Sequence, residues 1–200
     1  MNKQNGFTLV EIAIVIVIIG LLLGGVLKGQ QIILDAKIKN LDNQFNGTTA
    51  AYYTYLDRYR ALAGDHRTAT TYFSGVTNGD GNRRINEAFD STAADTDESR
   101  LFWLHLRSAG LVTGAPNDPN QPSNPFGGIV GVSSGDGATA TNGQRITKLF
   151  VGFSDIPNNI AFMLDTRGDD ANPMAGAIQA NPAAYIPGDT DTLFSVFFKM

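Results

Sequence analysis

Phe7-Thr8-Leu9-Val10-Glu11-Ile12-Ala13-Ile14-Val15-Ile16-Val17-Ile18-Ile19-Gly20-Leu21-Leu22-Leu23 is an apolar run that carries one charge, Glu11. Extended to Leu27, it reaches the roughly 20 residues that cross a bilayer as a helix. An ionised carboxylate at the centre of a membrane helix costs about 2.5 to 3.5 kcal/mol on insertion scales, and less near the edge where Glu11 falls. Such a residue needs a partner.

A secretory signal peptide is cut after its apolar region, at a small-x-small site. Here the pairs Leu23/Gly25 and Leu27/Gly29 put a bulky side chain where a small one is required. A cut ahead of the run, after the short polar segment Met1 to Gly6, fits better.

A polar leader with Lys3, ending in Gly6 and followed by Phe7-Thr8-Leu9-Val10-Glu11 and an unbroken apolar helix, resembles the type IV prepilins and type II secretion pseudopilins. The resemblance implies that a prepilin peptidase cuts between Gly6 and Phe7 and that the new amine of Phe7 is N-methylated. It further implies that Glu11 pairs with the terminal amine of a neighbouring subunit during filament assembly. The implied partners are homologous pilin or pseudopilin subunits, the peptidase/methyltransferase, an inner-membrane assembly platform and the membrane itself. Physical chemistry supports part of this: cleavage creates an ammonium at Phe7, and residues four apart share a helix face. Spacing leaves open whether the pair forms within one chain or between chains, and Glu11 also gains from the positive end of its own helix. The plainer reading is a membrane anchor with a tolerated edge glutamate. One departure from the family is Lys28, where many major pilins carry a helix-kinking proline; it favours a pseudopilin, a minor pilin or another branch. Gly20, Gly24 and Gly25 would allow local loosening or close helix contact.

Outside the span, about 160 to 170 residues remain, enough for one domain with a real core. The formal charge is −4, one unit more negative once the leader with its single lysine is removed. That balance argues against a dedicated nucleic-acid binder, which would show a basic face. The chain has no cysteine, which excludes disulfides, thiolate chemistry and Cys-based zinc sites. The short basic leader should stay cytoplasmic, leaving the rest in the periplasm or outside the cell.

Beyond the span, Leu34, Ile38, Leu41, Phe45, Tyr52, Tyr55, Tyr59 and Leu62 continue mostly three, four or seven apart, a helical stripe that predicts an amphipathic second half. The helix is expected to end at Ala63-Gly64-Asp65, giving a rod of ~85 Å from Phe7 at about 1.5 Å per residue. Residues 65–97 read as loop, with Thr77-Asn78-Gly79-Asp80-Gly81-Asn82 the sharpest turn cluster. Asp95-Thr96-Asp97-Glu98 reads as a capping box before a helix over Ser99 to Ala109 closed by Gly110. Residues 113–144 are rich in Gly, Pro, Asn and Ser and predict loops with one short strand at Gly128 to Val132. Strands are predicted at Lys148 to Phe153, Asn159 to Asp165 and Thr192 to Lys199, with Ala171 to Pro187 a connection. The segments Gly64-Asp65, Gly79-Asp80-Gly81-Asn82, Phe102-Trp103-Leu104-His105-Leu106 and Ala109-Gly110-Leu111 are similar to stretches of pilin-like heads.

Candidate chemistry is sparse. Gly131-Val132-Ser133-Ser134-Gly135 matches the nucleophile-elbow pattern, but Gly135-Asp136-Gly137 replaces the helix such an elbow needs, and His66 and His105 lie upstream rather than last. These two histidines lack ligand spacing for zinc and suit surface or packing roles. Asp165, Asp169, Asp170, Asp189 and Asp191 collect late in the chain. They would offer calcium its oxygen ligands if their loops meet, as the C-terminal loop does in the resembled major pseudopilins; turn formation explains them equally well. Tyr52, Tyr53, Tyr55 and Tyr59 with Arg58 and Arg60 can be drawn as a stacking surface for single-stranded DNA, yet helix-to-sheet packing uses most of these rings.

The expected class is therefore α+β: a long N-terminal helix, transmembrane in its first half and amphipathic in its second, packed on a small antiparallel sheet in the manner of a type IV pilin-like lollipop. The expected divisions are a leader at 1–6, the membrane half of the helix at 7–27, its amphipathic half at 28–63 and a head at 64–200. The expected role is a non-enzymatic structural subunit of a type IV-type filament that requires no cofactor. It would wait in a bacterial inner membrane with its N-terminus cytoplasmic and its head periplasmic, then pass into a periplasmic pseudopilus or an extracellular pilus. The alternative is a single-pass, membrane-anchored periplasmic binding protein that does not polymerise.

Overall fold

The computed structural model describes residues 8–92, 96–135, 148–182 and 184–200. Leu9 starts helix α1, which runs without interruption to Tyr59 over 51 residues. It contains no proline, and its aliphatic side chains keep the backbone bonded to itself. By contacts the chain divides into two compact units, 1–39 and 40–200, so the last two-fifths of α1 belongs to the second.

In the first unit the apolar side chains from Leu9 to Leu27 are exposed, with Leu9 at 85% and Leu21 at 73%. This stretch is long and apolar enough to cross a membrane. A Cβ placed on Gly20, Gly24 or Gly25 would meet nothing within 4 Å, so the surface at these glycines is open.

In the second unit α1 stops at Tyr59, short of the expected Ala63-Gly64-Asp65. Arg60 takes a left-handed conformation (φ 54°) and closes the last turn by donating its N–H to the Leu56 carbonyl at 2.9 Å. Gly64, instead of capping α1, adopts φ 91° where a Cβ would lie 2.5 Å from the Glu98 carbonyl. The chain then forms a single-turn helix α2, Ala69–Tyr72, inside the predicted loop. Helix α3, Glu98–Ser108, follows the predicted position. Its end is a Schellman motif: Leu111 N–H bonds to Leu106 O and Gly110 N–H to Arg107 O, both at 2.9 Å, with Gly110 at φ 67°. Asp97 flanks the start but caps no main-chain N–H with its side chain; it accepts the Ser91 hydroxyl instead. Asp95 of the expected capping box lies outside the described residues.

Four strands follow: β1 Val130–Ser133, β2 Phe150–Pro157, β3 Ile178–Asn181 and β4 Leu193–Lys199. They form one antiparallel sheet in the order β1-β2-β4-β3. The predicted strand at Asn159 to Asp165 is a helix, α4, Asn158–Gly168. Its apolar run Ile160-Ala161-Phe162-Met163-Leu164 suits either structure in isolation. In the fold only Ile160, Ala161 and Leu164 of that run are buried, a helical rather than alternating pattern. The strand β3 comes from the expected connection; its Ile-Gln-Ala-Asn sequence alternates, but over four residues with only one strong β-former it is too short to announce a strand.

Side-chain alternation sorts the sheet into two faces. Phe153 and Phe198 point to one, where Phe198 meets Phe45 of α1 with ring centroids 5.3 Å apart. Phe150 and Phe197 point to the other and close around Phe89. Each buried phenylalanine contributes roughly 1.5 to 3 kcal/mol. The α+β class, a long apolar helix with a small antiparallel sheet, is as expected.

Candidate assembly site and acidic clusters

Thr8 and Glu11 sit at the N-cap and third position of α1. The Thr8 N–H and hydroxyl both donate to Oε2 of Glu11 at 2.8 Å, and the Glu11 N–H donates back to Thr8 Oγ1 at 3.3 Å. This is a reciprocal capping box. Its carboxylate lies over the positive end of the helix, so Glu11 is partnered within its own chain before any cleavage. One of its oxygens makes both of these contacts, leaving Oε1 available to a further donor.

Two groups of acids lie in the second unit. Asp165, Asp169 and Asp170 bring one oxygen each within 4.8 Å of one another. Oδ2 of Asp165 accepts the Tyr185 hydroxyl at 2.8 Å, while its buried Oδ1 has no partner in bonding geometry. Burial pushes the Asp165 carboxyl above its usual range; Asp170 and Asp169 add to this, and the Tyr185 hydroxyl and the Ala171 N–H oppose it. Asp189 and Asp191 are not part of this group. Asp189 instead shapes its own turn, accepting the N–H groups of Asp191 at 2.8 Å and Thr192 at 3.2 Å.

The second group, Asp65, Asp80 and Glu98, organises the loop after α2. Asp65 accepts the N–H groups of Asn82 at 2.9 Å and Arg83 at 2.6 Å, and Glu98 accepts those of Asp80 at 3.0 Å and Asn86 at 3.3 Å. Burial raises the Glu98 carboxyl to about 7, helped by the charges of Asp80 and Asp65. Beside it the two histidines meet in the core. His66 bonds to the Tyr55 hydroxyl at 2.7 Å, and His105 bridges Gly64 and Thr77.

The profile of the prokaryotic N-terminal methylation motif matches residues 1–27. Residues 1–27 carry the type IV prepilin-type signature. No curated protein and no solved structure matches the chain. The match covers 27 of the 200 residues and supports a type IV pilin- or pseudopilin-like precursor, and the apolar α1 is compatible with a membrane anchor.

Of the site residues expected for a prepilin-type chain, Gly6 and Phe7 lie outside the described residues, and Glu11 sits in the first turn of α1. Of the five late aspartates, three are gathered and two are not. Sequence reasoning missed the Thr8–Glu11 box, although Thr-x-x-Glu before an apolar run is its signal. It also missed the Asp65–Glu98 group, whose members are 33 positions apart and are joined only by the fold. The elbow pattern is a strand: Ser133 is buried on β1 with its hydroxyl donating to the Ile85 carbonyl at 3.2 Å, and Ser134 Oγ accepts the Ile85 N–H at 2.8 Å. The residues that follow the pattern, from Asp136, lie outside the described residues. Among the tyrosines, Tyr55 is buried whereas Tyr53 is 54% exposed.

Proposed function

We propose that this chain is a non-enzymatic structural subunit of a type IV-type filament, a pilus or a secretion pseudopilus. It is cut between Gly6 and Phe7, methylated on the Phe7 amine and assembled through α1. One observation carries the reading: the stem from Leu9 to Leu27 is an apolar surface exposed along its length under a prepilin-type signature. Such a surface is satisfied in lipid or among like helices and nowhere in water. Contacts between copies that repeat head to tail without closing generate a fibre. Storage in the inner membrane with the head periplasmic, followed by transfer into a helical bundle, uses both environments. Glu11 then takes the amine of a neighbour on Oε1, the oxygen left available by the cap, while Oε2 keeps Thr8.

Replacing Glu11 with Leu tests this against the anchored binding protein that never polymerises. A filament subunit keeps normal processing and loses assembly. A permanent anchor inserts slightly more easily and is otherwise unchanged, which would refute the filament reading. Shearing cells and probing the sheared fraction distinguishes a surface pilus from a periplasmic pseudopilus.

A second reading concerns calcium at Asp165, Asp169 and Asp170. The filament role requires no cofactor, but the buried Oδ1 of Asp165 without a partner fits a cation that takes carboxylate oxygens. Asp165, Asp169 and Asp170 would hold the ion, and its charge would relieve the repulsion among them. Asp189 and Asp191 would shape the adjoining turn.

A further inference from the structure

Arg60, Arg67, Arg83 and Arg84 line one concavity of about 690 Å³ in the second unit. The whole chain is acidic at −4, which argued against nucleic-acid binding, but charge is distributed unevenly. Asp65 is the sole carboxylate among the described lining residues, and its oxygens are already committed to main-chain N–H groups of the adjoining loop. His66 is held neutral by burial, which lowers its pKa. Arg60 pairs with Asp57 at 3.4 Å, so the positive excess among the described lining residues rests on Arg67, Arg83 and Arg84, and a cleft of one sign concentrates ligands of the other.

Its hydrogen-bonding chemistry points the same way. Guanidinium groups only donate, and the hydroxyls of Thr68, Ser134 and the tyrosines can also donate, so a ligand rich in acceptor oxygens is complementary. Planar groups are present beside these donors. Tyr52, Tyr59 and Tyr72 also line the concavity; Tyr59 and Tyr72 meet edge to face at 5.3 Å, and Tyr72 is 57% exposed. Donor-rich charge next to an available aromatic face suits a phosphate joined to a planar base.

We propose that this pocket binds a nucleoside phosphate, either free or as a unit of single-stranded nucleic acid. The inference goes beyond the filament role and does not depend on it. Phosphate oxygens engage Arg83 and Arg84, while the base stacks on Tyr72. Arg67 is a positioning residue: its guanidinium bonds to the Asp80 carbonyl at 2.9 Å through Nε and so fixes the loop that carries Arg83 and Arg84.

The test is fluorescence anisotropy of a labelled oligothymidylate of about a dozen nucleotides with the full chain in neutral detergent micelles, at low and high salt. Binding that weakens with salt is expected, reduced about tenfold by the double substitution Arg83→Ala and Arg84→Ala. Tyr72→Ala is expected to weaken it about tenfold. Both changes fall on exposed side chains, and an unchanged melting curve shows that the variants are folded. Full competition by thymidine monophosphate assigns the site to a free nucleotide; failure to compete at equal phosphate assigns it to a strand; both support the nucleoside-phosphate chemistry. No binding at low salt overturns the proposal. So does binding that Tyr72→Ala leaves intact and that a polyuronate matches, because it would show a surface for any polyanion.

Discussion

The Gly64 N–H donates to Nδ1 of His105 across 2.9 Å, and the opposite ring nitrogen lies 2.8 Å from the Thr77 carbonyl. An acceptor at one nitrogen and a donor at the other make the neutral ring protonated on Nε2. Burial lowers its pKa to about 4, the Thr77 carbonyl resisting and His66 adding to the fall. His105→Ala is expected to lower stability by about 3 kcal/mol through the cavity and two orphaned main-chain groups, measured by chemical denaturation of the full chain in micelles.

His105 and Glu98 give opposite pH dependences. A histidine whose folded pKa lies below its unfolded value of 6.5 contributes its full stability above about pH 6.5 and loses it as pH falls toward about 4. Glu98, raised from 4.5 to about 7, contributes fully below about pH 4.5 and loses stability as pH rises through about 7. Each therefore masks the other in the wild type. Melting curves of Glu98→Gln should show stability rising with pH over the histidine window, and those of His105→Gln should show it falling over the glutamate window. Parallel pH profiles for the two variants would contradict the assignment.

Gly131 and Gly152 face each other in the register of β1 and β2, and Phe89 lies across them. A Cβ on Gly131 would sit 1.8 Å from the Phe89 carbonyl, and one on Gly152 2.5 Å from its ring. Gly131→Ala should destabilise the second unit by about 3 kcal/mol or more, because backbone rather than a flexible side chain must give way. Gly110→Ala, with nothing within 4 Å but φ 67°, should cost about 1 kcal/mol. Denaturation midpoints in the reverse order would show that conformation, not space, governs these glycines.

At the start of α1, Thr8→Ala removes the two capping contacts of the hydroxyl and leaves that of the Thr8 N–H, and should weaken the first helical turn by about 1 kcal/mol. Faster amide exchange at Leu9 to Glu11 in micelles is the readout. Because the carboxylate is retained, assembly should suffer less than in Glu11→Leu. Equal losses would mean that the cap itself, and not an intersubunit pair, is what assembly needs.

Calcium at millimolar concentration should raise the melting temperature of the wild type and fail to do so in Asp165→Asn. No rise in the wild type removes the calcium reading and leaves the unpartnered Asp165 oxygen as a cost of folding. The filament assay is independent of this result.

Legibility followed the range of the forces involved. Helices α1 and α3 and the two strands with strong β-formers, β2 and β4, were visible because period, caps and propensity act within a few residues. Asn159 to Asp165 was misread because a contiguous apolar run fits a buried strand as well as a buried helix. Strand β3 was invisible because Ile178 to Asn181 is a strand through its pairing with β4, not through its composition. The gathering of Asp165 with Asp169 and Asp170 follows from α4 ending at Gly168, so a reading of that segment as a strand could foresee neither it nor the exclusion of Asp189 and Asp191.

The amino-acid order alone determined that this chain carries an apolar stem with one acid behind a short polar segment, no cysteine and an acidic balance. All of these depend on residue type and local spacing, which no later folding changes. Tertiary structure decided which polar groups meet: Asp65 with Glu98, His105 with Gly64, and four arginines around one concavity in an acidic protein. Those distances depend on where the chain turns back, as at Arg60 and Gly64, and burial then sets how strongly each group holds its proton.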